Sequence, residues 1–108
     1  MHDYSAERAV LAGIYSYGSK GYDEIADLLS FDSFHLDSNQ TIFRCLEHIL
    51  KDGDSTKADY ASIMSAASSL GVEPFLKQRS EQEHLRGIMN MPINVENLRK
   101  LAAKVRKL

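Results

Sequence analysis

The histidines, serines and carboxylates are the residues of this sequence that could do chemistry, and none of them stands in a catalytic pattern. No second His or Cys lies at zinc-ligand spacing, so four scattered residues are interpreted as surface or half-buried imidazoles: His2, His35, His48 and His84. The sequence has no G-x-x-x-x-G-K-[ST] phosphate loop, no G-x-G-x-x-G and no nucleophile elbow around a serine. It therefore predicts no catalytic residue, no cofactor and no metal in this chain.

Two further features have a chemical and a plainer interpretation. Asp23, Glu24 and Asp27 could form a carboxylate site, but three acids on one side of a short helix are more typical of a solvated face. Cys45 is the only cysteine, which excludes an internal disulfide and fits a reducing compartment. Its place beside an apolar stripe predicts a small, partly buried side chain rather than a reactive thiol.

Basic residues concentrate near the end of the sequence and form the candidate interaction surface. The final segment has one acid, Glu96, and five bases: Arg99, Lys100, Lys104, Arg106 and Lys107. Such bases can contact nucleic acid phosphates, but no aromatic residue interleaves with them for base stacking. We therefore expect weak or no direct DNA binding, with a solvated helix face as the plainer alternative.

Length and composition indicate one globular domain. The 108 residues are 44% hydrophobic and 26% charged, with a net charge of −2. Residues 1–54 hold ten acids and four bases, whereas residues 55–108 hold five acids and nine bases. No apolar run approaches the roughly 20 residues needed to span a membrane, and no signal peptide is visible. We expect a cytoplasmic protein without a membrane partner.

The stretch from Asp37 to Asp52 predicts the central helix. Its large apolar residues recur at helical spacing: Ile42, Phe43, Leu46, Ile49 and Leu50. We expect a side-chain N-cap from Asp37, Ser38 or Asn39, and a left-handed C-cap at Gly53.

Shorter patterns before this stretch predict two helices and a connector. Ser5 is the expected N-cap of the first, with Glu7 in its first turn, and the run Gly18 to Gly21 is expected to break it. Tyr22 to Leu29 predicts a second helix. A connector from Ser30 to Leu36 follows, and we expect both its aromatic residues, Phe31 and Phe34, to be pinned onto the core.

Three helices are predicted after the central one. Ala58 to Leu70 is opened by Lys57 or Asp59 and turns Tyr60 inward. Val72 to Arg79 is expected to be less regular because of Pro74, and Ser80 with Glu83 predicts a capping box for the next helix. The last helix is Val95 to Leu108, with Asn94 as cap and Val95 and Leu108 inward.

The sequence thus predicts an all-α fold, with about six helices in an irregular orthogonal bundle. The predicted core is Val10, Ile14, Leu28, Phe34, Ile42, Phe43, Leu46, Ile49, Leu50, Ile63, Leu98, Leu101 and Val105.

An ordered series of residues resembles the N-terminal domain of DnaB-type replicative helicases over nearly the whole chain. Its parts are Ser5-x-Glu7-x-Ala9-Val10-Leu11-x-Gly13, Ile25-x-x-Leu28-Leu29-Ser30-x-x-x-Phe34, Ile42-Phe43, Gly53 and Asn97-Leu98-x-x-Leu101-Ala102-x-x-Val105-Arg106. Departures of this sequence from the family pattern indicate a divergent member of the family, and both a phage and a host origin remain open. Asn39 stands where the family often has His, and Asp54-Ser55-Thr56-Lys57 replaces a Pro-hydrophobic-Asp run.

The resemblance implies a non-catalytic domain, residues 1–108, in the collar of a ring-shaped hexamer. Such domains associate with one another as dimers within the hexamer. They help to recruit primase and, in some members, a helicase loader. ATP and Mg²⁺ belong to the family's separate ATPase domain, which is absent here together with the linker and helical hairpin. The alternatives are the helicase-binding domain of a bacterial-type primase, which resembles the same fold, and a small helical DNA-binding protein. Met1 is interpreted as a native start, so both a fragment and a stand-alone protein remain open.

Overall fold

The computed structural model describes residues 3–53 and 55–107. The secondary structure of these residues is helical, and no strand occurs among them. A 3₁₀ turn covers Phe31–Ser33, and a π-helical turn covers His48–Asp52. The α-helices are α1 Tyr4–Tyr17, α2 Ser19–Ile25, α3 Asp37–Glu47, α4 Tyr60–Ser69, α5 Glu73–Leu76, α6 Arg79–Met89 and α7 Val95–Lys107. The predicted all-α class is confirmed. The additional helix is the four-residue α5, where Pro74 lies in the first turn and leaves no backbone donor unsatisfied.

Helix α3 lies at the centre of the core and packs against α1, α4 and α6. Its apolar stripe is buried from Ile42 to Leu50, and the rings of Phe34 and Phe43 lie 4.9 Å apart. Most of the other residues predicted for the core are also buried, whereas Leu28 and Leu101 are only partly buried.

Both ends of α3 differ from prediction. The residue before the helix is Leu36, and no side chain caps it; Asn39 instead turns its amide into the protein interior. Gly53 has φ −88°, so the expected left-handed C-cap is wrong. The π-helical turn directly follows α3, and Gly53 after it has right-handed helical backbone angles.

Helix α1 begins before the predicted cap. Asp3 caps it, because its carboxylate accepts a hydrogen bond from the Ala6 N–H at 2.9 Å, so the prediction of Ser5 as cap is wrong. Gly18 ends the helix with φ +64° and α2 starts at the next residue. Gly21, predicted to be part of a helix break, lies inside α2. A Cβ on Gly21 would lie 2.7 Å from the Gly13 carbonyl oxygen, so its role is close packing of α2 on α1.

The aromatic residues of the connector have opposite environments. Phe34 is fully buried, as predicted. Phe31 is 45% exposed, and the Arg44 guanidinium lies 5.5 Å from its ring centroid. The prediction that both rings are pinned onto the core is therefore wrong for Phe31, which instead contacts a surface cation.

In the second half of the chain, the cap of α4 agrees with the prediction from the sequence and the start of α6 does not. The Asp59 carboxylate accepts a hydrogen bond from the Ser62 N–H at 2.8 Å, and this bond lowers the pKa of Asp59. Helix α6 starts at Arg79 without a side-chain cap. The expected Ser80–Glu83 box is therefore wrong, and Glu83 instead pairs with Arg79 at 3.4 Å.

Two predicted inward residues lie at the surface because each stands at the first position of its helix. Tyr60 is 38% exposed and its hydroxyl donates to Gln82 Oε1 at 2.6 Å. Val95 is 37% exposed. Asn94, the predicted cap of α7, accepts a hydrogen bond from the Glu96 N–H at 3.0 Å. Leu108, also predicted to point inward, lies outside the described residues.

Candidate interaction surface

Helix α7 holds the candidate interaction surface because only one of its faces packs on the protein. Leu98, Ala102 and Val105 are fully buried or nearly so, and α7 packs on α1 and α2. Close contact is possible because Gly13 of α1 has no side chain; a Cβ there would lie 2.5 Å from Leu98 Cδ1. The opposite face of α7 is consequently free to carry charge.

The predicted basic residues with described side chains are all exposed, but only Arg99 forms an ion pair with a described residue. Arg99 donates two hydrogen bonds to the Asp27 carboxylate, at 2.9 and 2.8 Å, and a third to the Glu24 carbonyl oxygen at 2.8 Å. Lys100, Lys104 and Arg106 are exposed. The side chain of Lys107 lies outside the described part of the chain.

The Arg99–Asp27 pair is structural in character. Its bidentate geometry is the arrangement in which a guanidinium and a carboxylate bind most specifically. The hydrogen bond to Arg99 lowers the pKa of Asp27, and the same bond raises the pKa of Arg99. Since it ties α7 to the segment after α2, Arg99 is not available to a partner in the way the exposed bases are. Asp27, predicted to belong to a solvated face, is exposed and paired.

Two shallow depressions follow the outward face of α7. The described residues that line the first include three bases and no acid; they are Leu28, Lys100, Ala103, Lys104 and Arg106. The second lies toward the start of the helix and is lined by Glu24, Val95, Glu96, Arg99, Lys100 and Ala103. The surface therefore has a basic end and a mixed end, joined across Lys100 and Ala103.

A second group of polar residues lies inside the protein and was not predicted. Glu7 and Asn39 are fully buried. Asn39 Nδ2 donates to Glu7 Oε1 at 3.0 Å, and Asn39 Oδ1 lies 2.6 Å from His84 Nε2. The His35 backbone N–H donates to Glu7 Oε2 at 3.1 Å. These contacts join α1, α3 and α6 through hydrogen bonds within the core.

The surroundings of His84, chiefly its burial, oppose its protonation. Burial and the nearby Arg8 guanidinium lower the pKa of His84, while Glu81 acts in the opposite direction. Arg8 Nε and Glu81 Oε1 are themselves buried and have no hydrogen-bond partner among the described residues. The contacts among Glu7, Asn39 and His84 thus form a hydrogen-bond network that links three helices.

Other candidate chemistry gains no support from the structure. No group of three or more His, Cys, Asp or Glu residues is placed to hold a metal ion within residues 3–53 and 55–107. Cys45 is buried, and burial raises the pKa of its thiol to about 11, which keeps it in the unreactive protonated form at neutral pH. Among the residues the structure describes, no helix has the length and apolar character to cross a membrane.

Fold and surface first define a class: an all-α domain whose last helix presents a charged face. Within this class, the family model described as the DnaB-like helicase N terminal domain matches residues 1–107, and the chain belongs to that family. The family predicted from the ordered residue series is therefore confirmed. A search of the curated proteins found no match.

A solved structure supports the fold. The chain is similar to the N-terminal domain of DnaB helicase from Mycobacterium tuberculosis, with a TM-score of 0.76. The two are 17% identical, and the match covers 98% of this chain and 69% of that one. At this identity the likeness establishes a shared helical architecture, and the roles of individual surface residues have to be argued from this chain.

Proposed function

We propose that this chain is a non-catalytic assembly and interaction domain of a ring-shaped replicative DNA helicase. The observation that carries the proposal is the family match over residues 1–107. The fold supports it, since α7 packs one face on the core that α1 and α3 help to form and leaves a charged face outward. The match to a helicase N-terminal domain favours this proposal over the primase-domain alternative.

In this proposal the domain acts by binding proteins. It pairs with neighbouring copies in the collar of the ring, and it helps to recruit primase and, in some settings, a helicase loader. ATP and Mg²⁺ bind a separate domain of the parent protein, so the chain itself carries no cofactor. Residues 1–108 form one such domain, and direct contact with DNA is weak.

The reading frame beyond residue 108 offers the first test. A phosphate-binding loop encoded downstream would supply the ATPase that the proposal requires. The decisive experiment compares the parent helicase with and without this domain. We expect its removal to reduce both ring assembly, measured by sedimentation, and primase recruitment, measured by co-purification. Unchanged assembly and unchanged recruitment would contradict the proposal.

The isolated chain provides a complementary measurement. Repurified protein should neither hydrolyse ATP nor unwind duplex DNA, since a phosphate-binding loop is missing from its sequence. ATP turnover that follows the protein through successive purification steps would be incompatible with a purely non-catalytic role.

A further inference from the structure

We infer that the basic end of the α7 surface binds a short acidic segment of a partner protein, with one apolar side chain of that segment against Leu28 and Ala103. This inference rests on the proposed function, because it gives the chemistry by which an interaction domain would recognise a partner. The segment is identified by its carboxylates and its apolar anchor.

Charge is the first argument. Lys100, Lys104 and Arg106 line one depression together, and no acid among the described residues contributes to that lining. None of the three forms an ion pair with a described residue. This contrasts with Arg99, the residue before Lys100, whose charge is matched by Asp27 at 2.8 Å. Arg106 interacts with the Asp27 carboxylate only at longer range. Three neighbouring cations without a close ion-pair partner among the described residues produce a local positive potential that attracts carboxylates and repels cationic partners.

The floor of the depression is the second argument. Leu28 is only partly buried and packs at the edge of the core, while Ala103 is exposed between the bases. An apolar floor inside a basic rim is the usual arrangement of an interface, where a buried apolar contact provides affinity and surrounding charges provide orientation.

The size and surroundings of the patch favour a peptide over a nucleic acid. Lys100 and Arg106 are six residues apart, which is about 9 Å along a helix and spans roughly three residues of an extended chain. Toward the start of α7, the surface carries the carboxylates of Glu24 and Glu96, which would repel a polyphosphate chain continuing along the helix. No aromatic residue lines either depression for base stacking.

Fluorescence anisotropy of the full chain tests this inference. The probe is a labelled 12-residue peptide with four glutamates around two leucines, and its counterpart has glutamine at the four acidic positions. We expect saturable binding of the acidic peptide and at least about tenfold weaker binding of the glutamine peptide, as for interfaces that depend on charge complementarity.

Matched variants locate the site. Lys100→Glu with Lys104→Glu should weaken binding at least about tenfold because attraction becomes repulsion. Lys20→Glu with Lys51→Glu makes the same charge change at exposed positions elsewhere and should leave binding nearly unchanged. Ala103→Gln keeps the charge and a good helix former but replaces part of the apolar floor with an amide, and it should weaken binding severalfold. Thermal midpoints of all variants establish that they remain folded.

Several outcomes would overturn the inference. The first is that the peptide shows no saturable binding, and the second is that the two double variants weaken its binding equally. The third is that an unlabelled single-stranded oligothymidine of about 20 nucleotides binds at the same residues more tightly than the peptide. The proposed function is judged separately. If the peptide does not bind while the parent helicase still needs this domain for primase recruitment, only the present inference is wrong.

Discussion

Asn39 determines how the buried polar residues are arranged. Its Nδ2 group donates to Glu7, which turns Oδ1 toward His84. An oxygen can only accept, so His84 must carry its proton on Nε2 in this arrangement. One amide therefore links the carboxylate of α1 to the imidazole of α6, and it fixes the tautomer of that imidazole.

Asn39→Ala should lower the free energy of unfolding by about 1–3 kcal/mol, because it leaves buried polar atoms of Glu7 and His84 without their partner. Asn90→Ala is the matched control. Asn90 is exposed and its Nδ2 donates to the Arg86 carbonyl oxygen at 2.9 Å, so we expect a change within about 0.5 kcal/mol. Urea unfolding measures both, and similar losses in the two variants would contradict a special role for the buried network.

His84 should make stability fall on acidification. Its folded-state pKa lies below the ordinary value of 6.5 because of burial and Arg8, with Glu81 partly opposing them. The unfolded chain then binds more protons than the folded chain below pH 6.5, so this contribution to stability is fully present above that pH and is lost as pH falls toward the folded-state pKa. Burial thus makes the α1–α3–α6 junction sensitive to acid.

Thermal midpoints at several pH values between 7.5 and 5.5 test this dependence. His84→Gln keeps a donor for Asn39 Oδ1 but does not titrate, so we expect its midpoint to fall less on acidification than that of the unsubstituted chain. His48→Gln is the control, because His48 has no hydrogen-bond partner in the buried network. Parallel pH curves for all three proteins would show that another group dominates.

At the scale of elements, α3 is the helix on which packing depends most. Leu46 is fully buried in the last turn of α3, and Leu46→Ala should cost about 2–5 kcal/mol of stability through lost burial and the cavity left behind. Leu70→Ala is a suitable comparison, because Leu70 is only partly buried at the end of α4 and should cost less. An unchanged urea midpoint for Leu46→Ala would mean that the stripe does not carry the core.

Helix periodicity could be read from the sequence, whereas helix ends and long-range polar partners could not. The spacing of Ile42, Phe43 and Leu46 depends only on 3.6 residues per turn. The cap of α1 was missed because Ser5 and Asp3 are both suitable, and local sequence does not decide between them. Glu7 was expected to serve the helix dipole; its partner Asn39 is 32 residues away, and no local pattern connects them.

The same limit applies to the α7 surface. The amphipathic pattern identified Arg99, Lys100, Lys104 and Arg106 as an outward basic group. It could not separate Arg99 from the others, because the pairing partner Asp27 is 72 residues distant in sequence. The partial exposure of Leu28, which forms the apolar floor, likewise depends on how α2 meets α7.

Two glycines with positive φ offer a test of how turns are constrained. Gly18 and Gly71 have φ of +64° and +75°, values that glycine adopts far more readily than a residue with a Cβ, so Ala is strained at either position. A Cβ on Gly18 would also collide with the Thr56 carbonyl oxygen, whereas one on Gly71 would meet open space. Gly18→Ala should therefore be more destabilising by about 1–3 kcal/mol, measured by urea unfolding. Equal costs would mean that the contact with Thr56 relaxes freely.

At the scale of the whole molecule, charge is concentrated by sign in the two halves of the chain, whereas the exposed large apolar residues lie on several elements. The first half of the chain is acidic, and the exposed bases of α7 lie in the second half. The exposed large apolar residues of the described chain lie on different elements: Phe31 precedes α3, and Tyr4, Tyr60 and Val95 open α1, α4 and α7. Complementary charges are thus available to bring copies together, but these four residues do not belong to one apolar helix face that could hold them.

We therefore expect weak self-association of the isolated chain. Exposed ion pairs contribute only about 0–1 kcal/mol each and are screened by salt, so apolar burial has to supply most of the stability of any dimer. Sedimentation velocity over a wide concentration range, at low and high salt, measures this directly. Association should increase with concentration and decrease with salt. A strict monomer under every condition would mean that pairing in a helicase ring has to come from parts of the parent protein outside these 108 residues, while a salt-insensitive dimer would mean that an apolar contact dominates and that the charge asymmetry has little part in assembly.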